Sequence, residues 1–219
     1  MIPEMAGRPR QTAPEIEQKK TELVRAASKV FAQKGYAQAQ IADIAAELGI
    51  GHGTVYRYFK DKRHLLDEVI DFAIAKVAGA LAFDQPSADT LEEYRAQVGR
   101  IGQNLFELVL AERDVTQLLF QEAYGADPEM NEKVALAMSA FASLSESYLV
   151  NGKKKGFFRK DFNPAIASLA INAMVFEGAR QVLRAADPVR AKREWMKEIP
   201  EIFLRGIASE TSGAPASRR

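Results

Sequence analysis

At 219 residues, 47% of them apolar, the chain is long enough for one domain or two and for a sizeable buried core. It has no cysteine, which excludes a disulfide framework, a thiol nucleophile and a cysteine metal site, and fits a reducing cytosol. The net charge of +1 is uninformative by itself, but residues 1–66 carry 11 Lys and Arg against 7 Asp and Glu, so the basic excess sits in the N-terminal third.

Met1 to Pro14 is polar and punctuated by proline, lacks the apolar stretch of a signal peptide, and reads as a mobile arm. Arg8 and Arg10 are available there for a phosphate or a minor groove, against the simpler reading of a solvated tail. Glu15 to Lys34 predicts a helix, with Ile16, Leu23, Ala27, Val30 and Phe31 on one stripe and Gly35 as its stop. Phe31 and Tyr36 read as core. Ile41, Ile44, Ala45 and Leu48 then mark a short amphipathic helix, broken at Gly49-Ile50-Gly51. A second short helix, His52 to Phe59, turns Val55 and Phe59 inward and Thr54, Arg57 and Tyr58 outward, with His52 and Gly53 at its N-terminus. This is the pattern of a helix-turn-helix, whose second helix enters the major groove of DNA. A phosphate-binding glycine loop is the rival reading of the clustered glycines; it requires a preceding strand, and here a helix precedes.

The run AASKVFAQKGYAQAQIADIAAELGI followed by GHGTVYRYFKDKRHLL combines Phe-x-x-x-Gly-Tyr, Ile-Ala-x-x-Leu-Gly-Ile and Gly-Thr-Val-Tyr-x-Tyr-Phe-x-x-Lys. In this combination residues 15–66 resemble the DNA-binding domain of the TetR (tetracycline-repressor-like) family of bacterial regulators. The resemblance implies three helices, a fourth linking them to an all-helical ligand-binding and dimerisation domain, and release from an operator when ligand binds. By position, His52, Gly53, Thr54, Arg57 and Tyr58 match groove-facing residues. Tyr56 and Lys62 match phosphate contacts, and Gln40 and Ala42 match the start of the second helix near the DNA backbone. Two positions depart from the family pattern: Gln40 stands where a Ser or Thr cap is common, and Gly51 where Ser is common.

Asp61 is placed to cap a linking helix from Lys62 to about Ala82, with Leu65, Leu66, Val69, Ile70 and Ala73 on its apolar face. Thr90 to Glu93 resembles a capping box before a helix from Leu91 to Glu112. Asp114 would cap a shorter helix reaching Tyr124. Asp127-Pro128, Asn163-Pro164 and Asp187-Pro188 each place a cap before a proline in the first turn. They predict helices over 128–154, 164–185 and 188–208, the last kinked or split at Pro200. No stretch alternates like a strand. The expectation is therefore an all-α chain: an arm over 1–14, a helix-turn-helix domain over 15–66, a helical ligand-binding and dimerisation domain over 67–208, and a tail over 209–219.

Beyond residue 84, helical stripes carry aromatics among occasional polar side chains, the composition of a ligand pocket as well as of plain core. The candidates to line a pocket are Asn104, Phe106, Gln117, Phe120, Gln121, Tyr124, Phe141, Tyr148, Asn172, Phe176, Glu177 and Arg180, the last two able to pair with each other instead. With few fixed charges in their midst, a small, mainly apolar effector is expected. Ala170, Ala173, Trp195, Ile199 and Phe203 are assigned to a homodimer interface by the family resemblance, with intramolecular core as the alternative. Lys153-Lys154-Lys155 suits a helix C-terminus. The only histidines, His52 and His64, lie in or beside the helix-turn-helix, and no nucleophile motif or metal-ligand spacing occurs, so neither enzyme nor cofactor is expected. The reading is a cytoplasmic, dimeric, ligand-responsive regulator of repressor type that binds palindromic double-stranded operator DNA and has no membrane partner. Its rival is a helical small-molecule-binding protein or enzyme without a DNA role.

Overall fold

The computed structural model describes residues 12–81, 85–122 and 127–208, the side chains of Gln121 and Glu122 excepted. Arg8 and Arg10, most of the N-terminal arm, Tyr124 and residues 209–219 lie outside them. Among the described residues the regular structure is helical, and the sole extended pairing is an isolated bridge between Phe158 and Ala208. Two compact units divide at Val69 and Ile70.

The first unit contains α1 (Ala13–Lys34), α2 (Ile41–Glu47), α3 (His52–Tyr56) and the beginning of α4 (Lys62–Leu81). Helix α1 starts two residues earlier than its sequence pattern suggests, because the Glu15 carboxylate accepts from the Thr12 amide at 2.7 Å and Pro14 needs no donor in the first turn. Leu23, Ala27, Val30 and Phe31 of its stripe are buried with Ile41, Ile44, Ala45, Val55, Phe59, Leu65 and Leu66. Tyr36 is half-buried and meets Phe31 edge-on, ring centroids 5.4 Å apart. In the turn after α2, Gly49 takes φ +63°, whereas Gly51 is extended at φ −70°. The need for glycine therefore falls on the first of the two.

The second unit contains the remainder of α4, α5 (Leu91–Ala111), α6 (Arg113–Gln117), a π turn over Leu118–Glu122, α7 (Pro128–Lys155), α8 (Pro164–Arg184) and α9 (Pro188–Ile207). Its helix starts are the ones the Asx-Pro punctuation predicts. Asp127 accepts from Met130 N at 2.8 Å, Asn163 from Ala165 N at 3.0 Å and Asp187 from Arg190 N at 3.0 Å. Thr90 accepts from Glu93 N at 3.2 Å, while the Glu93 carboxylate reaches back to Asp89 N rather than to Thr90.

One expectation about this unit fails, and of the kink or split expected at Pro200 the split does not occur. Asp114 does not cap a helix; it sits inside the first turn of α6, which begins after Glu112 and widens into the π turn with Leu118, Leu119 and Phe120 all buried. The buried Thr116 hydroxyl is in reach of the Glu112 carbonyl at 3.0 Å and the Arg113 carbonyl at 3.2 Å, which secures the junction with α5. Pro200 does not split α9, which continues to Ile207. The proline removes one donor, but Ile199, Phe203 and Leu204 on either side of it are buried and hold the helix through the defect.

Candidate nucleic-acid interface and ligand cavity

Helix α3 is shorter than the expected His52–Phe59. The amides of Arg57 and Tyr58 turn back to the carbonyls of Thr54 at 3.3 Å and Val55 at 3.0 Å, and this tightening ends the helix at Tyr56. Val55 and Phe59, 0% and 1% exposed, pin its inner face. His52, Gly53, Tyr56 and Arg57 are exposed, and Thr54 and Tyr58 are half-buried. Phe59 is followed by a reciprocal lock. Lys60 N donates to His64 Nδ1 at 3.1 Å, and His64 N donates to Asp61 Oδ1 at 2.8 Å, which fixes the start of α4 against the end of the reading segment.

Gln40 and Ala42 are exposed at the N-terminus of α2. The weak cap that Gln40 offers is compensated from the other direction: the Asp43 carboxylate accepts from Gln40 N at 2.9 Å and pairs with Lys34 at 2.6 Å. The Lys34 ammonium, with the Gln40 amide, holds the Asp43 carboxyl below the usual carboxylate range.

Lys62 is placed differently from the phosphate contact its position suggests. Its ammonium donates to the carbonyls of Tyr36 at 2.9 Å, Ala39 at 2.9 Å and Ala37 at 3.3 Å, and lies 4.5 Å from the centroid of the Tyr36 ring. An ammonium has three donors, and all three point at the loop between α1 and α2.

In the second unit an apolar cavity, hereafter the main cavity, lies between α5, α7 and α8, with Leu81 of α4 at its edge. It encloses about 730 Å³ of atom-free space, open solvent at its mouth included. Of the residues predicted from sequence, Phe141, Tyr148, Asn172 and Phe176 line it. Val98, Ile101, Leu105, Leu144 and Val175 line it too and were missed, because aliphatic residues on a helical stripe carry no mark that separates cavity wall from core; Ser145 also lines it. Phe106 belongs to a second cavity of about 530 Å³ against α9, and Asn104 to an outer groove beside Arg100. Phe120 is buried near Phe176, centroids 5.6 Å apart, in an adjoining groove that shares Asn172 and Phe176 with the main cavity and is also lined by Arg180. Glu177 and Arg180 pair with each other at 3.5 Å, and neither lines the main cavity. Gln117 is half-buried on α6 and lines neither cavity. The Gln121 side chain and Tyr124 are outside the described residues.

Two residues assigned to a dimer interface are turned into the chain's own core, and a third, Trp195, is half-buried. Ile199 and Phe203 are 5% and 8% exposed, and the Trp195 ring lies 3.0 Å from where a Cβ on Gly178 would stand. The residues on the outside are Ala170 and Ala173, together with Ile166, Leu169 and, on α9, Ile202. Among the described residues, no helix is long and apolar enough to cross a membrane and no cluster of His, Asp and Glu fits a metal.

Residues 23–69 match the family described as bacterial regulatory proteins, tetR family. The chain is 23% identical over 156 residues to a fatty acid metabolism regulator protein of Bacillus subtilis, covering 71% of this chain and 79% of that one. It is 35% identical over 79 residues to an HTH-type transcriptional repressor of Mycobacterium tuberculosis, covering 36% of this chain and 42% of the repressor's length. Among solved structures, its fold is similar to the regulator FadR of Bacillus subtilis in complex with stearoyl-CoA (TM-score 0.63, 19% identity, 82% of this chain and 96% of that one). It is also similar to the ketosteroid regulator KstR2 of Mycobacterium tuberculosis (TM-score 0.64, 20% identity, 88% and 96%).

Proposed function

We infer that the chain, whose residues 23–69 match the tetR family of bacterial regulatory proteins, is a ligand-responsive transcriptional regulator, acting as a homodimeric repressor on a two-fold operator. The observation that carries the reading is the outward face of α3, with His52, Gly53, Tyr56 and Arg57 exposed on a helix anchored by Val55 and Phe59. An α3 of only five residues contacts few base pairs, so a specific site requires two copies held at a fixed spacing, on the order of 34 Å or a multiple.

The effector is a small, mainly apolar molecule in the cavity between α5, α7 and α8. The apolar lining supports this, as do similar proteins whose names point to fatty acid metabolism, stearoyl-CoA and ketosteroids. Helix α4 starts at Lys62 in the first unit and ends at Leu81 on the cavity's edge in the second. A ligand that favours one placement of α4 therefore biases the spacing of the two recognition helices and with it operator affinity.

The test is selection of bound fragments from genomic DNA, followed by titration of the selected operator. Arg57→Ala should weaken operator binding by about 1–3 kcal/mol if Arg57 reads a base edge, with thermal stability unchanged. A purified protein that selects no sequence over bulk DNA refutes the reading.

A further inference from the structure

The main cavity contains one side chain whose hydrogen bonding is incomplete. The Ser145 hydroxyl on α7 donates to Asn172 Oδ1 on α8 at 2.8 Å. With the amide in this orientation, Asn172 Nδ2 is buried with no partner. A buried donor without an acceptor costs about 1–3 kcal/mol, and proteins retain few of them. A tie between α7 and α8 needs only the Oδ1 end, so helix packing accounts for half of the amide and leaves the other half unexplained.

The surroundings narrow what would complete it. Among the described residues, the only side chains with polar atoms on the cavity wall besides Ser145 and Asn172 are Tyr94 and Tyr148. Burial pushes the Tyr94 hydroxyl up, so it stays neutral at any physiological pH. Among the described residues, no Lys, Arg, Asp, Glu or His lines the cavity. A carboxylate or an ammonium would enter without a counter-charge, which is costly in an apolar wall.

We propose that Asn172, held by Ser145, is the polar anchor of this cavity, and that it selects an uncharged apolar ligand carrying a carbonyl acceptor, such as an ester or ketone on a hydrocarbon body. Nδ2 donates to the carbonyl oxygen, and Val98, Ile101, Leu105, Leu144, Ile171 and Val175 enclose the hydrocarbon. This rests on the reading that the cavity holds the effector, and it adds the functional group by which the effector is recognised.

Four probes of matched chain length separate the possibilities: methyl octanoate, nonane, octanoate and octylamine, each titrated against the full chain by calorimetry and thermal shift. Methyl octanoate should bind about two- to tenfold tighter than nonane, the equivalent of one buried hydrogen bond, and octanoate and octylamine should bind more weakly than the ester. In Asn172→Leu the preference for the ester over nonane should vanish while nonane binding persists. Equal binding of ester and nonane by the wild-type protein overturns the proposal, as does tightest binding of octanoate or octylamine, or binding of none of the four; these outcomes need no variant. Operator titrations run in parallel keep the two readings apart. An ester that binds as expected without changing operator affinity would defeat the regulatory reading and leave this one standing. Intact operator binding with a flat probe ranking would do the reverse.

Discussion

Lys62 shows how a residue can match a family position and yet be occupied elsewhere. A phosphate contact gives affinity without base preference, and its removal lowers the salt slope of DNA binding by roughly 0.9. The ammonium here is already shared among the Tyr36, Ala37 and Ala39 carbonyls. Lys62→Ala should therefore lower the protein's stability, by about 1–3 kcal/mol for charge-assisted bonds of this kind, and leave the salt slope of operator binding unchanged. Melting curves and titrations over a salt series check both parts, and a slope reduced by about one unit would restore the phosphate role. The sequence could not show this tie, because its acceptors are backbone carbonyls 23 to 26 positions away, and no side chain marks them. The inward anchors Val55 and Phe59 were legible for the opposite reason: they lie four apart on one short segment, and periodicity records such local relations.

At the scale of the element, the helix starts marked by Asx-Pro were readable and helix interruptions were not. Asp127, Asn163 and Asp187 announce their helices because cap and proline are adjacent in the chain. The π turn at Leu118–Glu122 and the unbroken course of α9 through Pro200 depend on what packs around them, which no local pattern carries. The end of α7 is a case of the same kind. A Cβ on Gly152 would stand 2.1 Å from the Phe158 ring and 2.7 Å from that of Phe157, in a cluster where Tyr94 meets Phe158 edge-on at 4.9 Å. The Gly152 carbonyl also accepts from the amides of Gly156 at 3.0 Å and Phe158 at 3.2 Å. Gly152→Ala should thus overpack the turn and destabilise the second unit by about 1–3 kcal/mol or more, despite alanine's better helix propensity. Denaturant unfolding measures it; a variant as stable as the parent would mean that the two rings move aside freely.

For the whole molecule, the proposed dimer separates residues that hold the chain together from residues left for a second copy. Ile166, Leu169, Ala170 and Ala173 recur on α8 at the spacing of one helical face, and Ile166 and Leu169 are 66% and 59% exposed. Family resemblance pointed to α8 and α9 but could not say which side of each helix faces out, since Ile199 and Phe203 are as apolar as Leu169 and Ile202. Burial in the single chain makes that distinction. Leu169→Glu places a charge where the monomer is already in water, so the monomer should fold and melt normally; in a dimer the same charge would be desolvated without a partner. The expected result is a shift from dimer to monomer in sedimentation velocity. Operator affinity should fall towards that of a single half-site, with the folded reading head intact by circular dichroism. Phe203→Glu should behave differently and unfold the second unit, because the charge would enter the core around Tyr148, Leu149 and Phe158. If Leu169→Glu remains a dimer at low micromolar concentration and binds the operator as before, the α8 face is not the surface through which two copies meet.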